Sequence, residues 1–246
     1  MNTAVVILNF NGRKWLEKFL PSVVANSDEA DIYVIDNGST DDSVLFLKEN
    51  FPQIKVIVNE SNYWFAGGYN EGLKHITADY YILLNSDVEV TPNWITPVIQ
   101  LLESDENIVA AQPKILAYQN KQYFEHAGAG GGMIDKNGYP FCRGRIFDHV
   151  EKDEGQYDDT TEVFWASGAC LFIKAKAFHE FGGFDANYLA HMEEIDLCWR
   201  MKNSGKKIMY CGSSSVYHVG GGTLNYVNPQ KTYLPFRNSL FTLYKN

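Results

Sequence analysis

Cysteine is scarce in this chain, with four thiols in 246 residues, at positions 142, 170, 198 and 211. No two form a C-x-x-C pair and none has a histidine partner at finger spacing, which argues against a zinc site or a disulfide framework. Positive charge is also short. Lys and Arg number 21 against 30 Asp and Glu, a formal charge of -9, so the electrostatic footprint of a general nucleic-acid binder is missing. A polyanion would be held only where a metal ion supplies local positive charge. No apolar run reaches the roughly 18 residues of a membrane span. MNTAVVILNFNG has neither a basic leader nor a small-residue cleavage site, and reads as a first strand, not a signal peptide. These absences suggest a reduced, cytoplasmic protein. No G-x-x-x-x-G-K-[ST] loop is present, and GGYNEG and AGAGGG do not follow a strand in the dinucleotide manner.

What is present is apolar surface. The chain is 45% hydrophobic and 14% aromatic, enough for a packed core and against disorder. Residues 3–10 are a continuous β-branched and aliphatic run, as expected of a strand buried on both faces. Trp15, Phe19, Leu20, Val23 and Val24 then recur at helical spacing. The alternation continues through a strand at Ile32–Ile35, a helix in SVLFLKENF, a strand in IKVIVNE, a short helix in NEGLKHIT and a strand in YYILLNSD. Such alternation predicts a parallel sheet with helices on both faces. The second half is less regular. WITPVIQLLES is helical and VAAQPKIL a strand, and the stretch from Ala127 to Asp159 is a long loop or irregular hairpin insertion. VFWASGACLFIK returns to strand, AKAFHEFGGF and EEIDLCWRMKNSG are helices, and KKIMYCGSSSVYHV is a strand before a Gly-rich loop. With no repeat and no linker, 1–246 is a single domain.

In an open parallel sheet, ligands bind outside the carboxyl ends of the strands. Asn9-Phe10-Asn11, Asp36-Asn37-Gly38-Ser39, Asn85-Ser86-Asp87 and His218 each follow an apolar strand directly. One such cluster is a turn, because Asn and Asp make turns readily. Four on one edge would line a crevice. There Asp36 suits a ribose diol or a base N–H, and Asp87 is a hard oxygen ligand for Mg²⁺ or Mn²⁺ that also takes oxygens from a diphosphate. HMEEIDLCWR crowds Glu193, Glu194 and Asp196 at a helix start. A helix N-terminus favours acids and Asp196 can pair with Arg200, yet mutual repulsion among the three would raise pKa values and suit a general base. His218 reads either as a buried histidine bonded to a carbonyl or as a metal ligand beside glycines that allow close approach.

VVILNFNG, VIDNGSTDDS, NYWFAGGYNEG, YILLNSDVEV, WASGACLFIKAKAFHEFGGFD, EEIDLCWRMKNSG and VYHVGGG, in that order, resemble a family-2 glycosyltransferase over almost the whole chain. The nearest subgroup is that of rhamnosyltransferase-like enzymes of bacterial polysaccharide assembly. The resemblance implies an α/β protein of the inverting GT-A class, with a Rossmann-like, mostly parallel sheet flanked by helices and a more irregular acceptor side. It makes residues 1–90 the nucleotide-sugar half and 91–246 the acceptor and catalytic half. It implies transfer from a nucleotide-diphosphate sugar to a hydroxyl of a glycan or lipid-linked acceptor, with Mg²⁺ or Mn²⁺ as cofactor. By the same resemblance Asn9, Asn11, Asp36 and Asn70 contact the nucleotide, and Asn85-Ser86-Asp87 stands where the family has D-x-D. Asn85 then faces the sugar or ribose, while Asp87 and His218 bind metal. Glu193 and Glu194 match the catalytic acidic pair, with Glu194 in the place of the base. Members of the subgroup extend beyond the helix in YLPFRNSLFTLYKN, so the resemblance implies a truncated form. Arg237, Phe241, Tyr244 and Lys245 fit either a surface helix touching a membrane or ordinary core packing.

Two other readings use the same residues. A nucleotidyltransferase would carry a Gly-rich basic loop after the first strand, where NFNGRKWLE has a single Gly. A non-catalytic nucleotide-sugar or glycan-binding module would not need Asp87, Glu194 and His218 together. Donor and acceptor choice are expected in the 127–165 segment and near Trp165.

Overall fold

A computed structural model describes residues 1–126, 128–220 and 229–246. Ala127 and the glycines after Gly220, singled out above, lie outside the described residues. The first half is β1 (Thr3–Asn9), α1 (Arg13–Ala25), β2 (Asp31–Asp36), α2 (Ser43–Asn50), β3 (Lys55–Val58), α3 (Trp64–Leu73), β4 (Tyr80–Asn85) and β5 (Val88–Val90). It continues with α4 (Thr96–Glu103), β6 (Ile108–Ala117), β7 (Asn120–Phe124), β8 (Gly132–Ile134), β9 (Pro140–Cys142), β10 (Arg145–Ile146), β11 (His149–Val150), β12 (Thr160–Val163) and β13 (Cys170–Lys174). Helix α5 (Ala175–Glu180), a 3₁₀ turn at Ala186–Tyr188, α6 (Glu193–Asn203), β14 (Lys207–His218) and α7 (Pro229–Lys245) complete it.

The main sheet runs β12-β14-β6-β13-β4-β1-β2-β3. Strands β1 to β4 are mutually parallel, as the alternation predicted, and β14 lies parallel to β6. Strand β13 enters antiparallel between β4 and β6. Both faces are covered, so successive residues of one strand serve two cores. Val5, Ile7, Ile82 and Leu84 pack with Leu16, Leu20 and Trp94 on one side. Val6 and Leu83 pack with Tyr69, Phe178, Phe184 and Leu197 on the other.

Several elements differ from the sequence reading. The helix expected over NEGLKHIT starts earlier, at Trp64, and ends at Leu73. Its glycines hide it, since each lowers helix propensity, and Gly72 is there because α3 touches the sheet. A Cβ on Gly72 would lie 2.3 Å from Ile35 Cδ1 and 2.6 Å from Ile35 Cγ2. VFWASGACLFIK is two strands, broken at Phe164–Ala169. The Ala127–Asp159 insertion holds two small hairpins, β8–β9 and β10–β11, whose strands of two or three residues are too short to show a period. Lys114, buried on β6, anchors the insertion by pairing with Asp153 at 2.9 Å and with Asp158.

Gly72→Ala is expected to destabilise the chain by about 1–3 kcal/mol in urea unfolding, because the β-branched Ile35 cannot yield. In an open helix the same change would stabilise by up to about 1 kcal/mol, so a gain would show that α3 does not sit this close.

Candidate active site

The ends of the first two strands build a polar floor. Parallel pairing sets Asn9 opposite Asp36, and both are almost wholly buried. Asp36 Oδ2 accepts from Asn9 Nδ2 at 2.9 Å, and Oδ1 accepts from the Ser39 N–H at 2.9 Å. Asn11, exposed and left-handed at φ 49°, accepts at Oδ1 from the N–H of Thr40 at 2.8 Å and of Asp41 at 3.2 Å. Asn37, to which the sequence assigned no role of its own, ties this floor to the next loop. Its Nδ2 donates to Asn62 Oδ1 at 3.0 Å and to the Trp64 carbonyl at 2.9 Å, and its Oδ1 accepts from Asn59 Nδ2 at 2.9 Å. Asp36 thus acts from beneath the surface, holding Asn9 and Ser39 in place.

The neighbouring edge is built by β4 and β14. Val88 on β5 pairs with His218 at the end of β14, which closes a gap of 130 residues in sequence. His218 Nε2 lies 3.2 Å from Asp87 Oδ1 and 3.4 Å from Asn85 Nδ2, and its Nδ1 lies 3.6 Å from Glu125 Oε2. Asp87, His218 and Glu125 are all buried. Burial pulls the imidazole pKa down, but the neighbouring carboxylates of Asp87 and then Glu125 outweigh it and push His218 up to about 10. Asp87 and His218 offer a divalent cation one hard oxygen and one imidazole nitrogen, and a cation bound there would displace the proton. Among the described residues no group of three or more His, Cys, Asp and Glu is arranged to hold a metal. With one oxygen and one imidazole nitrogen, a cation held there would take the rest of its shell from other oxygens, such as those of a substrate. Glu125 was not foreseen. It follows a largely exposed strand, β7, so no apolar run points to it.

The acidic pair opens α6. Leu189, His191 and Met192 all have positive φ (64°, 70° and 74°), and this turn delivers Glu193 and Glu194 to the first helical positions. Glu193 is buried and Glu194 half-buried. Each has one buried carboxylate oxygen, Oε2, with no hydrogen-bond partner. Burial and then repulsion from Glu194 hold Glu193 well above the usual carboxylate range. Burial also raises Glu194, against the backbone N–H groups of Glu194, Ile195, Gly168 and Met192. Asp196 does not take part in this repulsion as expected. It is paired with Arg200 at 2.9 Å and Lys245 at 3.0 Å on another side of the helix. A Cβ on Gly168 would lie 3.8 Å from Glu194 Cδ, and the next residue, Ala169, accepts from the Asn85 N–H at 3.0 Å. The break between β12 and β13 thus joins Glu194 to the Asn85–Asp87 edge.

Asn70 makes a different contact from the one expected of it. Its Nδ2 donates to the Phe184 carbonyl at 2.7 Å and its Oδ1 accepts from the Phe184 N–H at 3.1 Å, fastening α3 to the loop before α6. Trp165 is packed inward, its Nε1 donating to the Met133 carbonyl at 2.8 Å.

The family model Glycosyl transferase family 2 matches residues 4–182. The chain is 25% identical over 230 residues to the N-acetylglucosaminyl-diphospho-decaprenol L-rhamnosyltransferase of Mycobacterium tuberculosis (strain CDC 1551 / Oshkosh), covering 87% of this chain and 75% of the relative. To Rhamnosyltransferase WbbL of Escherichia coli (strain K12) it is 23% identical, covering 87% and 82%. Among solved structures, GalNAc-T7 with UDP, GalNAc and Mn²⁺ superposes with a TM-score of 0.69 at 20% identity, covering 89% of this chain and 44% of that one. The mannosyltransferase PcManGT from Pyrobaculum calidifontis, in complex with GDP-Man and Mn²⁺, gives 0.70 at 13% identity, covering 100% and 64%. These likenesses show a GT-A fold. The chain spans less than two thirds of the length of either solved chain.

Glu193→Gln tests the burial of the pair. The folded carboxyl holds its proton more tightly than the unfolded one, whose pKa is near 4.5. Its contribution to stability is therefore full below that value and lost as pH rises through the folded pKa. The variant is expected to melt higher than the parent at neutral pH, with the gain shrinking toward pH 4.5. A variant that melts lower at pH 7 than at pH 5, relative to the parent, would contradict this.

Proposed function

The chain belongs to glycosyl transferase family 2 and is a glycosyltransferase, and on that premise we propose a single displacement at the anomeric carbon of a nucleoside-diphosphate sugar. The carrying observation is the buried Glu193–Glu194 pair, with an unpartnered oxygen on each side chain, joined through Gly168 and Ala169 to the Asn85–Asp87–His218 edge. Glu194, the less buried of the two, takes the proton from the acceptor hydroxyl as it attacks. Its raised pKa makes it a stronger base than a solvated carboxylate, and a positioned base contributes roughly 10² to 10⁴ in rate. Glu193 stays protonated beside it and limits the negative charge at the helix start.

Asn9, Asn11 and Asp36 form the nucleotide floor in this reading, with Asp36 working largely through the groups it fixes. Asn85 turns toward the sugar. A divalent cation, Mg²⁺ or Mn²⁺, held by Asp87 and His218 would offset charge on the departing diphosphate. Mn²⁺ in the two solved neighbours supports that choice. The names of the two relatives support a rhamnosyl donor and, from the first, a polyprenyl-diphosphate-linked acceptor in polysaccharide assembly.

Helix α7 suits such an acceptor. No helix among the described residues is long and apolar enough to cross a membrane. Yet Tyr233, Phe236, Leu240 and Tyr244 recur every three or four residues along α7 and are all exposed. That apolar stripe supports contact with a lipid-linked substrate at the inner face of the membrane.

Glu194→Gln keeps size and hydrogen bonding but cannot accept the proton. It is expected to bind nucleoside diphosphate and Mn²⁺ normally by calorimetry and to lose transfer by at least about a hundredfold. Undiminished turnover in Glu194→Gln with loss in Glu193→Gln would move the base one residue back. NMR of the product should show an inverted anomeric centre, and retention would overturn the displacement. Asp87→Ala should abolish the Mn²⁺ dependence of nucleoside-diphosphate binding while leaving the melting transition cooperative. Unchanged metal dependence would remove Asp87 from the site.

A further inference from the structure

The turn that delivers the acidic pair is held from outside its own element. Left-handed geometry at Leu189, His191 and Met192 interrupts regular pairing around the carbonyls of Tyr188, Ala190 and His191, of which that of Tyr188 also accepts from the Ala190 N–H at 2.8 Å. All three carbonyls accept from one side chain on α7. Asn238 Nδ2 shares its two hydrogens among Tyr188 O at 2.9 Å, Ala190 O at 2.9 Å and His191 O at 2.7 Å. Asn238 is fully buried, and its orientation is set by Arg237, whose Nε and an Nη donate to Asn238 Oδ1 at 2.9 Å and 2.8 Å. The same guanidinium reaches the carbonyls of Asn187 at 2.9 Å and Tyr188 at 3.1 Å. From its other side the turn caps α3, the Leu189 carbonyl accepting from the N–H groups of Phe65 at 2.9 Å and Ala66 at 3.1 Å.

The geometry points to Asn238 as a positioning residue for the transfer reaction: it holds the turn 188–192 closed and so sets the direction in which Glu194 leaves α6. The inference rests on the reading of Glu194 as the base. Three positive-φ residues in four positions cost free energy, and a buried carbonyl without a donor costs more. Asn238 relieves the second cost only while the turn keeps its shape, so side chain and turn stabilise one conformation together. At its own start α6 has no side-chain cap at Met192. Asn238 does not touch the polar floor at Asn9 and Asp36, so its loss should misplace the base and leave the nucleotide seat intact.

The test is steady-state transfer with a nucleotide-rhamnose donor, alongside calorimetric titration of UDP with Mn²⁺, in the parent, Asn238→Ala and Arg237→Lys. Arg237→Lys keeps the charge but lacks the fork that holds Asn238 and two carbonyls at once, and it is the variant least exposed to misfolding. Misplacement by about an ångström costs on the order of a hundredfold in rate. The expected result is a fall in kcat of that order for Asn238→Ala and a smaller fall for Arg237→Lys, with donor KM and UDP affinity within about twofold of the parent. Hydrogen exchange at Phe65 and Ala66 should quicken in both variants, because the turn that caps them loosens. Parent-like kcat in folded Arg237→Lys and Asn238→Ala, or a loss shared equally between kcat and UDP binding, would overturn the assignment. A parent chain inactive on every nucleotide sugar tried would instead sink the transferase reading, and this inference with it.

Discussion

Parallel pairing of β1 with its two neighbours is the constraint from which the site follows. Asn9 stands opposite Asp36 on one side, and Leu8 stands opposite Asn85 on the other. A shift of one residue in either register would turn every side chain of the strand to the other face. The register is secured by apolar residues on both faces, Val5 and Ile7 on one and Val6 on the other. Core packing therefore decides where the polar ends emerge. The buried carboxylate of Asp36 is satisfied by Asn9, which the same pairing brings to it, and by the Ser39 N–H.

The second half of the chain completes that edge from far away in sequence. Strand β14 runs parallel to β6 with an irregular register between Cys211 and Ser215, and its last residue meets β5. His218 arrives between Asp87 and Glu125 as a result. Two carboxylates beside His218 favour its charged form, which is why the imidazole keeps its proton despite burial. The acidic pair at α6 is the opposite case. There two like charges are buried together, and the cost appears as raised pKa values and unpartnered oxygens. A site that stores such cost must be held by the remainder of the fold, and α7 and α3 both grip the turn that leads into it.

Glycine and asparagine carry much of this holding. Gly72 lets α3 approach Ile35. Asn37, Asn70 and Asn238 each bind main-chain groups of a segment distant in sequence. None of the three is distinguishable by pattern from an asparagine in an ordinary turn or on a helix surface.

The sequence alone determined the parallel first half, through apolar runs alternating with helical spacing, and it marked Asn9, Asp36, Asp87, His218 and the Glu193–Glu194 pair as polar groups at element ends. Those signals are local, because strand length, periodicity and turn chemistry are read within about ten residues. It also carried the family likeness, which rests on the order of such pieces. Tertiary structure alone decided the rest. It set Glu125 behind His218, spent Asn70 on Phe184, drew Asp196 away to Lys245, and bent Leu189, His191 and Met192 into left-handed geometry beneath Asn238. Each of these depends on contacts between segments some 40 to more than 100 residues apart, where the chain offers no period to read, and where hydrogen bonds to main-chain groups leave no mark in residue type.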